Sequence, residues 1–307
     1  MNGFENHAGF NISSYKLQVV EVNYRNEQFY LQNIDEVYFD DRINFPDDKD
    51  TKIISLLQSA FNELLINNQL YSSFASFTLP FELFHIIQVP YDDSLLHKDL
   101  LDEFLWEFEV LYPHISSTDL VIQYIEIDGN KIIPQKTAIV TAIKRKYLKL
   151  IKDFCNQNNL QLRFIDNSHF ASDRVLALSN LASKGLVLSL YINKNYLSII
   201  FSLDGKLIKC KVIQLTNAGE ITGYLLNEIK NVGGNPLSLE SFSAAFISGE
   251  DLSPSMVKSL QNAIGIEFHQ FNPFEKIKPD PKLIENKFYS DKYISFSPAA
   301  GIAFRLA

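Results

Sequence analysis

The densest apolar pattern lies mid-chain. Leu186–Ile192 is an unbroken buried-strand run, Tyr196–Ser202 follows an Asn-Lys-Asn break, and Asp204-Gly205 turns the chain into Lys206–Gln214. Apolar, β-branched runs joined by Asn- and Gly-bearing turns predict strands in hairpins. A helical pattern over Ala218–Val232, a short strand Ala245–Ser248 and a helix from Ser253 complete this half. The N-terminal part repeats the order. Gly9–Ser13, Lys16–Val22 and Gln28–Val37 read as strands, and an acidic loop with Pro46 spans Asp40–Asp50. Thr51 then stands as the cap of a helix whose Ile53, Ile54, Leu57, Ala60, Phe61, Leu64 and Leu65 fall at helical spacing. Phe74–Thr78 is the next strand, and Pro80 ends it. Three strands, a helix and a strand thus occur twice, a repeat that predicts a duplicated, two-lobed fold.

Between the repeats the pattern predicts an inserted αβ module. Its elements are a strand Phe84–Val89, a helix Asp92–Leu111, strands Leu120–Ile127 and Thr137–Ile143, a helix Lys144–Asn158 and a strand Gln161–Ile165. A connecting helix, His169–Ala182, leads on, and Ser297-Pro298 reads as the N-cap and first turn of a closing helix through Ala299–Leu306. The expected domains are 1–79 as a first lobe completed by 295–307, 80–165 as the inserted subdomain, and 166–294 as the connecting helix and second lobe.

Composition narrows the classes. With 307 residues and 46% of them hydrophobic, the chain can bury a large core in about two domains. Its 28 basic and 36 acidic residues leave a net charge of −8, which argues against sequence-independent nucleic-acid binding. The one basic cluster, Lys144-Arg145-Lys146 with Lys149 and Lys152, falls on a helix and reads as a solvated face. Two cysteines, Cys155 and Cys210, suit a reducing compartment and buried thiols. The N-terminus lacks the features of a signal peptide, and no apolar run is long enough to span a bilayer. The expectation is a cytoplasmic protein that reaches the inner membrane only through a partner.

Candidate chemistry is sparse. The six histidines are scattered without metal-ligand spacing, and no catalytic Ser or Cys signature occurs, so neither a catalytic residue nor a metal site is expected. Asp166-Asn167 precedes the connecting helix; capping of that helix at Asn167 or Ser168 is the foremost reading, with orientation of a water as the alternative. Lys16 reads as an exposed strand lysine. On the helix over 92–111 the apolar stripe is Leu100, Leu101, Phe104, Leu105, Phe108 and Leu111, and Trp106 falls opposite it, near Asp102, Glu103 and Val110. Trp106 with Val110 is therefore either a partner-binding surface or a surface that packs on a neighbouring lobe.

Four stretches carry a family resemblance. Gly9–Val22 resembles the first phosphate strand pair of the actin-like ATPase superfamily, in the branch of the cell-division protein FtsA and the pilus-assembly protein PilM. Leu105-Trp-Glu-Phe-Glu-Val-Leu-Tyr-Pro113 is similar to the helix end of that branch's inserted subdomain. Phe246–Asp251 with Gly265–Phe274 is similar to its adenosine-side strand, loop and helix, and Ala299–Arg305 to its terminal helix. The likeness runs over nearly the whole chain and extends to an uncharacterised group of Bacteroidetes proteins with an actin-like fold. It implies an α/β, two-lobed actin-like fold, a duplicated ribonuclease-H-like βββαβα unit, with an inserted αβ subdomain.

The resemblance also implies where nucleotide would sit, and there the residues depart from the pattern. Active members open each lobe's first hairpin with Asp-x-Gly, a carboxylate for hydrated magnesium and a bare backbone for phosphate. Here the positions hold Asn11-Ile12-Ser13, followed by Ser14, and Ser189-Leu190-Tyr191. The third site keeps Gly249 but adds Glu250 and Asp251. Without the carboxylates, phosphoryl transfer loses its main electrostatic support. Asn11, Ser13, Ser14, Ser189, Tyr191, Gly249, Glu250 and Asp251 are read as a degenerate nucleotide cleft with no cofactor. The implied function is a non-catalytic, pseudo-ATPase scaffold that binds a protein partner. A short peptide or cytoplasmic tail of an envelope-assembly or pilus-type membrane protein fits that role. The alternatives are a slow magnesium-dependent ATPase or small-molecule kinase in which Glu250, Asp251 and Asp166 hold the metal, and a cleft for an unrelated small ligand.

Overall fold

The computed structural model describes residues 6–25, 27–193, 195–233, 237–250 and 252–306. The first half of the chain runs β1 (His7–Ile12), β2 (Lys16–Arg25), β3 (Gln28–Tyr38), α1 (Asp50–Asn67), β4 (Phe74–Leu79), β5 (Phe84–Pro90), α2 (His97–Leu111), β6 (Leu120–Ile127), β7 (Thr137–Lys144) and α3 (Arg145–Gln157). The second half runs β8 (Gln161–Asn167), α4 (Ser168–Leu178), β9 (Leu186–Asn193), β10 (Tyr196–Leu203), β11 (Lys206–Gln214), α5 (Ile221–Lys230), β12 (Phe242–Gly249), α6 (Pro254–Ile264), β13 (Lys278–Pro279), α7 (Lys287–Ser290) and α8 (Ser297–Ala303). The repeated order of three strands, a helix and a strand is present in both halves.

One compact unit comprises Met1–Phe81, Leu148–Leu181 and Gln270–Ala307. Its sheet runs β13-β3-β2-β1-β4-β8, with β1 antiparallel to β2 and parallel to β4. Alternation along the strands sends Phe10 and Phe77 to one face, where their rings stack at 4.9 Å. Phe61 of α1 and Phe154 of α3 close over them, Phe61 at 5.9 Å from Phe10 and Phe154 at 6.1 Å from Phe77. On the other face α8 lies directly on β1. A Cβ at Gly9 would stand 2.2 Å from the Ala299 carbonyl oxygen, and one at Gly301 would stand 1.7 Å from that of Ala171 in α4. Only glycine allows backbone to approach backbone this closely.

The second unit comprises Glu82–Tyr147 and Ala182–His269. It holds a sheet β11-β10-β9-β12 and a smaller antiparallel sheet β5-β7-β6. The predicted turn at Asp204-Gly205 is present, both residues with positive φ (51° and 78°). β12 runs parallel to β9, and a single parallel bridge joins Phe246 to His269. α2 covers the small sheet, burying Leu100, Phe104 and Phe108 against Ile87, Ala138, Val140 and Ala142. Gln88 Nε2 donates to Thr137 Oγ1 and to the Ile208 carbonyl, both at 2.9 Å, and so ties the small sheet to β11.

Several expectations need correction. The strand over 161–165 does not belong with the inserted strands; as β8 it is the parallel neighbour of β4, Thr78 opposite Asp166. The connecting helix, now α4, packs in the first unit, and residues 270–294 return there through β13, which pairs with β3. Strand partners 88 and 248 residues apart (Thr78 with Asp166, Tyr30 with Lys278) leave no mark on local periodicity. Thr51 is not a cap: α1 starts at Asp50, whose carboxylate suits the positive end of the helix, and no side chain caps it. Ser297 does not cap α8 either: it is the first helical residue, Phe296 stands at the cap position, and the Ser297 Oγ accepts from Ser172 at 2.8 Å. Both thiols are buried, and burial pushes that of Cys155 up to about 12. Among the described residues, no helix is long and apolar enough to cross a membrane.

Candidate functional site

In the first unit the hairpin of β1 and β2 places Asn11 opposite Gln18. The Asn11 amide is engaged on both sides: Nδ2 donates to Gln18 Oε1 at 2.9 Å, and Oδ1 accepts from Thr78 Oγ1 at 2.7 Å. Gln18 Nε2 passes the chain of bonds on to Glu36 Oε2 at 3.0 Å and Ser295 Oγ at 3.2 Å. Glu36 in turn is held by Lys16 at 2.8 Å and Lys292 at 3.0 Å. Burial is the strongest influence on Glu36 and raises its pKa, but Lys16 and Lys292 together outweigh it and hold the carboxyl below its ordinary value. Lys16 is thus not the exposed lysine expected. It is 6% exposed, because α8 and the segment before it cover a sheet face that alternation alone assigns to water.

Ser13 and Ser14 close the turn of the same hairpin. Ser13 Oγ accepts from the backbone N–H of Tyr15 at 3.1 Å and of Lys16 at 3.3 Å, and the Ser14 carbonyl accepts from Ile43 N–H at 2.8 Å. The Ser13 hydroxyl thus serves the turn.

In the second unit Ser189 and Tyr191 share one face of β9, and both are buried. Tyr191 stands between Ser198 of β10 and Ser248 of β12, whose Oγ donates to the Leu190 carbonyl at 3.3 Å. Gly249 has φ 152°, and a Cβ there would lie 2.1 Å from the Ile192 carbonyl. The strand packing of β12 on β9 therefore demands glycine at 249 without reference to any ligand. Glu250 N–H donates to the same carbonyl at 3.3 Å. Asp251 lies outside the described residues.

Asp166 is fully engaged in the first unit. Its Oδ2 takes Arg174 at 2.9 Å and Arg305 at 2.8 Å. Asn167 caps α4 as expected, its Oδ1 accepting from the N–H groups of His169 and Phe170. Among the described residues, no group of three or more His, Cys, Asp or Glu could hold a metal ion.

Trp106 and Val110 lie on the outer side of α2, 58% and 56% exposed, while Leu100, Phe104 and Phe108 fill the opposite side. This is the angular separation that the helical period predicts. The residues that sequence reasoning passed over are Gln18, Thr78, Glu36 and Lys292. The first three are buried polar positions within strands, which would have stood out had both sheet faces been known to be covered.

The sequence matches no protein-family model and no curated protein. Solved structures do resemble it. The PilM-PilN type IV pilus biogenesis complex aligns over 97% of this chain and 98% of its own, with 17% identity and a TM-score of 0.73. A Bacteroides thetaiotaomicron protein with an actin-like ATPase fold and unknown function aligns over 86% and 90%, with 14% identity and a TM-score of 0.53. The ethanolamine utilization protein EutJ from Carboxydothermus hydrogenoformans aligns over 98% and 89%, with 7% identity and a TM-score of 0.52. The chain has the actin-like ATPase fold.

Proposed function

From this fold, we infer a non-catalytic scaffold that works by holding a protein partner, in an envelope or pilus-type assembly. One observation carries the reading: the amide of Asn11 is locked between Gln18 and Thr78. In an active member of the resembled superfamily this position offers a free carboxylate to hydrated magnesium. Here it offers a neutral group with both ends already used, and the neighbouring Glu36 is saturated by two lysines. The engaged Asn11 and Glu36 support a site that takes no ATP with magnesium. That one solved structure of this fold is itself a complex, PilM with PilN, supports a partner-holding role, for which Trp106 and Val110 are the candidate contacts.

Thermal unfolding with and without millimolar magnesium and ATP or ADP tests the reading. A ligand present at 100 times its Kd stabilises by about 2.7 kcal/mol, several degrees for a chain of this length. The expected result is no shift. A clear shift overturns it, and magnesium-dependent phosphate release lost in Glu250→Gln would establish the enzyme reading in its place.

A further inference from the structure

The outer face of α2 combines two properties that rarely share a monomer's surface. Trp106 and Val110, one helical turn apart, are more than half exposed. At 100° per residue, Asp99, Asp102, Glu103 and Glu109 fall on the same side of the helix, around the indole. From Asp92 to Leu111 seven acidic residues stand against one lysine, a net of −6 beside −8 for the whole chain. Among the described residues, none of Asp99, Asp102, Glu103 and Glu109 has an ion-pair partner; Glu109 bonds only the Ser117 hydroxyl at 2.5 Å. Glu103 Oε2 is buried and lacks any hydrogen-bond donor. Carboxylates at this spacing repel one another, and a helix gains nothing from it by itself.

We propose that this face docks a cationic amphipathic segment of a partner protein, which rests on the scaffold reading and supplies the chemistry of the partner. An arginine guanidinium lies over the Trp106 ring, where cation–π attraction and the flanking carboxylates act together. An aliphatic side chain of the segment covers Val110, and further cationic side chains meet the exposed Asp102 and Glu109 carboxylates. Charge complementarity steers the encounter, and the aromatic anchor holds the complex.

The chain's single tryptophan makes the test direct, because its emission reports on this face alone. The probe is a synthetic twelve-residue peptide of alternating arginine and leucine, with a glutamate–leucine counterpart as control, titrated into the full chain. The expected result is a saturable change in Trp106 emission with the arginine peptide only, weakened at least tenfold between about 50 and 200 mM salt. Calorimetry on Trp106→Ala, and separately on the triple variant Asp99→Asn, Asp102→Asn, Glu103→Gln, should show at least a tenfold loss of affinity, with the unfolding midpoint of the triple variant no lower than the parent's. Equal binding by those variants, absence of saturation, or equal binding of the glutamate peptide overturns the proposal. Sedimentation of the protein alone adds a further outcome: self-association abolished by the same substitutions assigns the face to a second copy and overturns it too. Any of these failures beside an absent nucleotide shift leaves the scaffold reading standing; a nucleotide shift removes the scaffold reading whatever the peptide does.

Discussion

Lys16 donates to Glu36 across the β2–β3 ladder at 2.8 Å, with the two side chains only 8% and 2% exposed. Lys292 reaches the other carboxylate oxygen from the C-terminal segment. The Lys16–Glu36 pair is dry, Lys292 is half exposed, and Gln18 links the three-residue cluster to Asn11.

Removing Glu36 alone strands Lys16 in a buried position, which costs about 3–5 kcal/mol. Glu36→Leu should therefore be strongly destabilised in urea melts, while the double variant Lys16→Met with Glu36→Leu recovers most of the loss. Because the Glu36 pKa is lowered in the fold, its stabilisation is present above the unfolded carboxylate value and lost as pH falls through the folded one. The double variant should show a flatter stability profile on the acid side.

Glu21 should titrate in the opposite sense. It is fully buried, and burial raises its carboxyl to about 7, against the N–H groups of Ser72 and Tyr71 and the charge of Lys282, which lower it. Its Oε2 and the Oδ1 of Asn33, directly opposite across the β2–β3 ladder, both lack donors. A raised folded pKa gives stability that is complete below the unfolded value of 4.5 and lost as pH rises through about 7. Glu21→Gln keeps an acceptor for the two N–H groups and supplies a donor toward Asn33. It should be more stable than the parent by about 1–3 kcal/mol at pH 8, with the advantage gone near pH 4. Urea midpoints measured across that range check it.

His7 limits stability from the acid side. Burial, helped by Arg163, lowers its pKa to about 4, so the folded state keeps it neutral. Stability should fall as pH drops from about 6.5 toward 4, at up to about 1.4 kcal/mol per pH unit from this group. His7→Gln should remove that part of the slope, and NMR titration of the ring should find the low value directly.

On α2 two aromatic residues should behave oppositely. Phe104 is fully buried beneath the helix, and Phe104→Ala should cost about 3–5 kcal/mol. Trp106 is 58% exposed, and Trp106→Ala should change stability by under about 1 kcal/mol. Equal losses in chemical denaturation would place Trp106 in the core and remove it from any contact surface.

How far the sequence reached depends on the range of the interaction concerned. The hairpins of β9 to β11 were legible because turn chemistry and strand runs are local, and the α1 stripe of Ile53, Leu57, Ala60, Phe61 and Leu64 is buried as read. Leu65, also assigned to that stripe, is 43% exposed, since the helix buries a narrower arc than its apolar residues occupy. The partner of β8 was not legible, because residues 161–167 read equally well beside any strand. The Asn11 network was hidden for the same reason. It takes the β1–β2 and β2–β3 registers together with Lys292 and Ser295 to assemble it, and the Asp-to-Asn change alone reports only the missing charge.

The contact of Gly9 with α8 also has a bearing on how the protein is made. The first strand leaves the ribosome early, yet the helix that covers its face, through Ala299 and Ala303, is translated roughly 290 residues later, some 15–60 s at ordinary elongation rates. During that interval the face of β1 that carries Gly9 has no native cover, and the first unit cannot close. All of the second unit, through residue 269, emerges before this closing helix, so the unit whose first strands are made earliest is the one completed last.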